Sequence, residues 1–95
     1  MVINMSSHIS DELLLREKVR VAISHRRLPG RAADRTYGGP GRGELCAVCE
    51  VTIPSKQVAL EIHFDDLRRV VGGKQTHHLH FRCFAAWELE RTKPV

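Results

Sequence analysis

The N-terminal part of the chain carries apolar residues at the spacing of an amphipathic helix. Between residues 11 and 27 the apolar positions recur every three or four residues, so they fall on one side of a helix. This stripe consists of Leu15, Val19, Ala22 and Ile23, and it is widened by Leu14 and Val21. The pattern predicts a helix over residues 11 to 27.

Charges and a cap at the ends of this segment favour the same helix. Ser10 is a good N-cap, and Asp11 and Glu12 place negative charge in the first turn. Arg26 and Arg27 place positive charge in the last turn, before a Pro-Gly pair that ends the helix. Because the polar face mixes both signs of charge, packing within the domain or against a second copy is favoured over a membrane surface.

The next segment, PGRAADRTYGGPGRG, is rich in residues that interrupt regular structure. It holds five glycines and two prolines in fifteen residues. This composition predicts a linker or extended arm without regular elements over residues 29 to 44. Tyr37 either docks on the following module, which fixes the path of the arm, or leaves the segment mobile. The expected organisation is a helical segment (1–28), this linker and a C-terminal module (45–95).

The C-terminal module changes period from strand to helix. The stretch VALEIHF alternates and predicts a half-buried strand, with Ala59, Glu61 and His63 on its polar face. Its apolar face consists of Val58, Leu60, Ile62 and Phe64. A turn at Gly72 and Gly73 and a returning strand over residues 76 to 80 follow. From Arg82 onward the sequence predicts a helix whose apolar contacts are Phe84, Trp87 and Leu89. The predicted class is α+β.

Composition adds a constraint on stability. A chain of 95 residues forms one domain at most, and a core of that size alone gives marginal stability. With 42% hydrophobic and 27% charged residues, wholesale disorder is not expected. No apolar run approaches the roughly 18 residues of a membrane span. The first residues, MVINMSSHIS, lack the pattern of a secretory signal, so cytoplasmic localisation is expected.

Soft-metal ligands occur in two spaced pairs. Cys46 and Cys49 form a CxxC pair, and His80 and Cys83 form an HxxC pair thirty residues later. A two-residue gap lets a tight turn aim two side chains at one point, and its amide N–H groups can offset the thiolate charge. Residues i and i+3 share a helix face, so the second pair converges if a helix begins there. The four residues predict one Cys3His site for Zn²⁺.

Neighbouring histidines compete for the fourth position. In an extended strand His78 and His80 point to the same side, so His78 is an alternative ligand or a supporting group. His77 points to the other side and is expected to be an exposed imidazole, as is His63 on its own strand. His80 is preferred because only HxxC has the spacing of one helical turn.

Catalytic alternatives find less support. Four protein ligands fill a tetrahedral site and leave no position for an activated water, so the predicted zinc is structural. A thioredoxin-like redox role needs a helix after CxxC, whereas Pro54 and a strand follow here. The three cysteines also leave one thiol over in any disulfide framework. No nucleophile elbow, phosphate-binding loop or small-molecule substrate site is evident, so the chain is not expected to be an enzyme.

The ligand pattern resembles treble-clef and LIM-like zinc modules, over roughly residues 45 to 92. In these modules a CxxC knuckle, a β-hairpin and a helix follow one another, and the first turn of the helix donates the last two ligands. The ligand positions are then Cys46, Cys49, His80 and Cys83. The chain is also similar to small bacterial proteins that carry DRTxGGPGxG, then CxVC, then HLHxRCFAAWExER, matched here from Asp34 to Arg91. This resemblance implies a bacterial zinc-binding protein and points to no particular activity.

Positive charge is concentrated just before the cysteines. The formal net charge is +4, and residues 26 to 43 hold five arginines against a single acidic residue, Asp34. The arginines are Arg26, Arg27, Arg31, Arg35 and Arg42. They are candidate contacts for nucleic-acid phosphates or acidic partners, or they belong to a solvated connector.

Two functions from different classes fit these features. A zinc-stabilised module can mediate protein contacts or self-association, through the amphipathic helix or a surface around Phe84 and Trp87. The arginines can instead bind nucleic acid, in a regulatory or other role, from a platform that zinc fixes. Protein interaction is favoured because the chain has only five aromatic residues and because Glu88 and Glu90 make the last helix a poor groove binder. No membrane partner is expected.

Overall fold

The computed structural model describes residues 3–65 and 74–93 and shows an α+β fold. Its elements in chain order are α1 (Ile3–Ser24), β1 (Arg35–Pro40), β2 (Glu44–Leu45), β3 (Thr52–Ile53), β4 (Val58–Asp65), β5 (Lys74–His80) and α2 (Phe81–Arg91). The predicted fold class is confirmed. The turn predicted at Gly72 and Gly73 lies outside the described residues.

The strands form two small antiparallel sheets, which position the cysteine and histidine residues of the C-terminal half. β4 lies between β1 and β5, and Leu60 of β4 lies opposite Leu79 of β5. β2 and β3 form a separate hairpin in which Leu45 pairs with Thr52, so the hairpin encloses the CxxC segment. Both strands that the sequence predicts in the C-terminal module are therefore confirmed, as β4 and β5.

The prediction of a linker without regular structure is wrong for Arg35–Pro40. These residues form β1, which pairs with β4 from Arg35 opposite His63 to Pro40 opposite Val58. An edge strand bonds to one neighbour only, so glycine and proline are tolerated there. The Tyr37 ring lies edge-on to the His63 ring with centroids 5.3 Å apart. The composition of this segment gives no indication of a strand, and β1 forms because β4 offers an edge for pairing.

The predicted alternation along β4 holds towards its C-terminal end. Ile62 and Phe64 are buried in the core, but Val58 is 51% exposed. Ala59, which the pattern placed on the polar face, is buried. It lies directly opposite His80, on the face of the sheet that the CxxC hairpin covers.

The first helix begins and ends earlier than predicted. Ser10 lies inside α1 rather than at its cap, and the first turn has no acidic and the last turn no basic residue. Serine has only a moderately lower helix propensity than alanine, so the helix continues through it. The helix ends before Pro29, because Arg26 adopts a left-handed conformation with φ 63°. The Arg26 N–H donates to Ile23 O (3.0 Å) and the Arg27 N–H to Ala22 O (2.8 Å), a Schellman motif.

The apolar stripe of α1 packs against the core, but it is narrower than predicted. Val19 and Ala22 are fully buried, and Leu15 and Ile23 pack at the margin. Leu14, which was expected to widen the stripe, is 54% exposed. Among the described residues, no helix has the length and apolar character needed to cross a membrane.

The core joins both helices to one face of the main sheet. Trp87 of α2 is fully buried, its ring lies 6.0 Å from the Phe64 ring, and its Nε1–H donates to Pro29 O at 2.9 Å. Residues from all three predicted segments contribute to this core. Its fully buried large side chains are Val19, Leu28, Cys46, Ile53, Ile62, Phe64, Leu79 and Trp87.

Of the apolar contacts predicted for the last helix, Trp87 and Phe84 are confirmed as contacts with the core and Leu89 is wrong. Trp87 is inaccessible and Phe84 is partly buried, so the two rings do not form a surface for a partner. Leu89 is 53% exposed and makes no core contact, whereas Ala86 is buried in its place. Ala86 lies three residues after Cys83, on the face of α2 that meets the core.

An ion-pair cluster fastens α1 to α2. The Glu90 carboxylate, whose side chain is 3% exposed, accepts a hydrogen bond from Arg16 Nε at 2.7 Å. Arg20 and Lys93 approach the same carboxylate at 3.4 and 3.8 Å. Although burial opposes it, the hydrogen bond from Arg16 and the surrounding positive charges lower the pKa of Glu90.

Glu90→Gln is expected to destabilise the folded chain by about 1 to 2 kcal/mol at neutral pH. The loss is moderate because Arg16 and Arg20 are 30% and 48% exposed and can return to water. A carboxylate whose pKa is lowered by folding stabilises the folded state only while it is ionised. The difference in stability between the two proteins should therefore vanish as the pH falls through the pKa of Glu90. Urea unfolding at several pH values measures this. The control is Glu17→Gln, an exposed partner of Arg20, and equal losses in both variants would contradict the assignment.

Candidate metal centre

Two distant parts of the chain bring four ligand groups to one point. The ligand atoms of Cys46, Cys49, His80 and Cys83 all lie within 4.8 Å of one another. Cys46 and Cys83 are buried, and Cys49 and His80 are half-buried. A group this close, with three sulfur atoms and one imidazole nitrogen, could hold one metal ion.

The CxxC pair lies at the tip of the β2–β3 hairpin. The Cys46 N–H donates to Val51 O at 3.0 Å and the Glu50 N–H donates to Cys46 O at 2.9 Å, which closes a tight turn. Glu50 adopts a left-handed conformation with φ 62°. A non-glycine residue there costs on the order of 1 kcal/mol, which the rest of the hairpin must offset.

Backbone N–H groups point at the cysteine sulfur atoms. The N–H groups of Val48 and Cys49 and of His80 donate to Cys46 Sγ, and the Val51 N–H donates to Cys49 Sγ. Such donors are predicted in the turn from the sequence. The left-handed conformation of Glu50 and the donation from the His80 N–H are not predicted, because glutamate lacks the preference of glycine for this conformation and the second half-site is remote in sequence.

The three thiols share their protons unequally. The hydrogen bond from the Cys83 thiol, together with the N–H donors and against the effect of burial, lowers the pKa of Cys46 to about 4. The same hydrogen bond holds the proton on Cys83 and raises its pKa, to which burial adds. Burial raises the pKa of Cys49. Of the three sulfur atoms, Cys46 Sγ therefore carries a negative charge most readily.

The junction of β5 and α2 supplies the second pair of ligands. His80 ends β5 with extended dihedrals (φ −60°, ψ 155°) and is the N-cap residue of α2, and Cys83 follows in its first turn. The i, i+3 spacing predicts that His80 and Cys83 share a face of the helix, whereas His80 precedes the helix. The two side chains nevertheless converge. His80 Nδ1 lies 3.4 Å from Cys49 Sγ and 3.9 Å from Cys83 Sγ, which makes Nδ1 the candidate ligand atom.

His63, His77 and His78 lie outside this group. His78 lies opposite Glu61 in the sheet, and its Nε2 is 3.9 Å from a carboxylate oxygen of that residue. His63 Nε2 lies 2.9 Å from the other oxygen of Glu61. His77 points to the opposite face, as predicted, but it is half-buried against the Phe64 ring rather than exposed. Burial and the neighbouring His78 lower the pKa of His77.

Most of the candidate arginines have partners within the chain. Arg27 donates to Ala47 O at 3.0 Å on the CxxC hairpin and lies 3.6 Å from Glu50. Arg31 lies 3.4 Å from Asp34 and 5.0 Å from the centre of the Phe64 ring. The remaining three are Arg35, which pairs with Asp65 at 3.1 Å, Arg26, which forms the left-handed end of α1, and Arg42, which is exposed. Three of the five guanidinium groups therefore lie within 4 Å of a carboxylate of the chain itself.

Comparison of the chain with family models, with curated proteins and with solved structures gives no match.

Proton release on metal binding tests whether the site is preformed. With Cys46 ionised and the pKa values of Cys49 and Cys83 raised, a folded site is expected to release about two protons for each ion bound at neutral pH. Cysteines in an unfolded chain have pKa values near 8.5, so an unfolded site would release nearly three. Titration calorimetry in buffers of different ionisation enthalpy counts these protons. Because a core of this size is only marginally stable without the metal, we expect a count near three, and a count near two would show that the site forms before the ion binds.

Proposed function

We propose that the chain is a small binding module that one structural Zn²⁺ stabilises, and that it mediates protein–protein interaction. The convergence of the four ligand atoms within 4.8 Å is the observation that carries the zinc proposal. Thiolates and imidazole are the ligands that Zn²⁺ takes in tetrahedral structural sites. Four protein ligands complete the tetrahedron, and N–H donors at the sulfur atoms balance the charge of the thiolates.

The size of the core supports a stabilising role for the metal. The described chain buries eight large side chains fully, and two of its strands are only two residues long. Such a domain benefits from metal binding, which can supply folding free energy on the order of 10 kcal/mol. The ion would join the CxxC hairpin to the junction of β5 and α2, and it would add to the hydrogen bond from the Ala47 N–H to His78 O (2.8 Å) that already connects these parts.

The order of elements supports a treble-clef-like module. A hairpin carries Cys46 and Cys49, and a helix carries Cys83 in its first turn. The proposal extends to the bacterial character that the resemblance suggests and to a cytoplasmic localisation, which the three cysteines without disulfide bonds favour. In a reducing compartment thiolate ligands persist. No catalytic role is proposed.

The ion pairs of the candidate arginines favour protein interaction over nucleic-acid binding. Arg27, Arg31 and Arg35 already contact carboxylates of the chain itself, which reduces what they offer to phosphates. The alternative predicts salt-sensitive binding to DNA or RNA that disappears after Arg→Ala changes at positions 26, 27, 31 and 35. That result would replace protein interaction as the proposed function.

Native mass spectrometry of protein purified without added metal tests the zinc proposal. We expect one zinc ion for each chain, and weaker retention of zinc in His80→Ala. A metal-free chain with a disulfide between Cys46 and Cys49 would contradict the proposal and favour thiol redox chemistry.

A further inference from the structure

An open groove lies beside the candidate metal centre, between α1, the CxxC hairpin and the start of α2. Its volume is about 620 Å³, and Cys49, His80 and Cys83 contribute to its wall. Its apolar lining consists of Leu14, Leu15, Val51, Val58 and Phe81. No local sequence pattern predicts this groove, because its walls come from parts of the chain that are distant in sequence.

The apolar side chains of the groove are unusually accessible. Leu14, Val51, Val58 and Phe81 are 54%, 58%, 51% and 62% exposed. A single exposed apolar side chain is common on a protein surface, but several that line one concave site are typical of a binding surface. Water in contact with these side chains would be released if apolar groups of a ligand replaced it.

The charged residues that line the groove are both basic. They are Lys18 on α1 and Arg82 on α2, and no acidic residue of the described chain lines it. Two other basic residues of α1, Arg16 and Arg20, do not line the groove and contact Glu90 instead. A zinc ion with three thiolates and a neutral imidazole carries a net charge of −1, so the groove stays positive with the metal bound.

We infer that this groove binds an acidic peptide segment of a partner protein, with large apolar side chains that enter between Leu14 and Phe81. The inference rests on the proposed protein interaction and names its surface and the chemistry of its partner. Lys18 and Arg82 contact the carboxylates of the peptide at the edges of the groove. A nucleic acid lacks aliphatic side chains to fill the groove, and a second copy of a chain with net charge +4 meets repulsion.

Two labelled peptides test the inference on the full, zinc-loaded chain. One is a short peptide of leucine, glutamate and glutamine, and the other has lysine at every glutamate position. Fluorescence anisotropy at low and at physiological salt measures both affinities. We expect the acidic peptide to bind at least about tenfold more tightly than the basic one, with a preference that salt reduces.

Matched variants locate the binding site. Lys18→Glu combined with Arg82→Glu should weaken binding of the acidic peptide roughly tenfold, and Leu14→Ser should have a comparable effect. Arg42→Glu and Leu89→Ser are the controls, because both side chains are exposed and neither lines the groove. Native mass spectrometry checks in each variant that zinc is retained. Unfolding of a variant is then distinguished from a specific loss of peptide binding.

Each other outcome overturns the inference in a recognisable way. Equal affinity for the two peptides, or equal effects of groove and control variants, would contradict binding of an acidic peptide in the groove. If zinc is retained in these proteins, the proposed zinc site would still stand. A dimer in light scattering that Leu14→Ser dissociates identifies a second copy as the occupant. Binding of nucleic acid that depends on the arginines, with neither peptide bound, overturns the proposed function together with this inference.

Discussion

The Cys83→Ser variant is expected to lose its tertiary structure, with or without added zinc. Cys83 is 4% exposed and its sulfur lies 3.9 Å from His80 Nδ1, so serine would leave a hydroxyl in a buried site shaped for a thiolate. Zinc binding worth on the order of 10 kcal/mol would be reduced severely. Because a domain of this size is only marginally stable without such a contribution, the folded state would no longer be the populated one.

Near-ultraviolet circular dichroism follows this loss through Trp87, which is the only tryptophan and is fully buried. Addition of a strong chelator to the wild-type chain should produce the same spectrum as the variant. His78→Ala is the matched control, because His78 lies two residues from His80 on the same strand yet contacts Glu61 instead of the ligand group. It should bind one zinc ion and melt cooperatively. A folded, cooperative Cys83→Ser protein would show that the core suffices without the metal.

The four ligands could be predicted from the sequence because their signal is local. Each half-site is a pair of residues with a two-residue gap, and a tight turn or the start of a helix converts that gap into convergence. The prediction did not depend on the detailed structure of each pair. His80 proved to be an extended N-cap residue rather than a helical one, and its Nδ1 still lies within 4 Å of Cys49 and Cys83.

Elements that depend on distant partners were predicted less well. β1 carries glycine and proline, which argue against a strand, and it forms because the edge of β4 offers backbone groups for pairing from Arg35 to Pro40. The end of α1 is similar. Arg26 has no intrinsic preference for φ 63°, but the Schellman hydrogen bonds and the buried Leu28 that follows them fix it there. Tertiary contacts override local preference at both places.

One face of α2 unites the features that hold this fold together. Cys83, Trp87 and Glu90 are spaced at i, i+4 and i+7, so they lie on the same side of the helix. The first belongs to the candidate metal centre, the second to the core and the third to the ion-pair cluster with α1. Zinc binding and docking of the N-terminal helix should therefore be thermodynamically coupled through α2.

Trp87→Ala is the variant that tests this coupling. Removal of a fully buried tryptophan should lower the free energy of unfolding by about 3 to 5 kcal/mol, since it leaves a cavity between the helices and the sheet. It also leaves Pro29 O without the Nε1–H donor that now lies 2.9 Å away. No ligand of the metal centre is changed. Zinc affinity should nevertheless fall, because binding must supply more of the free energy of folding in the variant than in the wild type.

Trp87→Phe separates the packing contribution from that of the hydrogen bond. Phenylalanine keeps an aromatic ring beside Phe64 and loses the donor to Pro29, so the expected loss is about 1 to 2 kcal/mol with a small change in zinc affinity. Urea unfolding of the zinc-bound proteins and competition with a chromophoric chelator measure the two quantities. If Trp87→Ala lowered stability but left zinc affinity equal to that of the wild type, α2 would not transmit the coupling, and the metal-binding part would fold independently of α1. A parallel loss in both quantities, larger for alanine than for phenylalanine, would establish that the metal centre and the two-helix core form one cooperative unit.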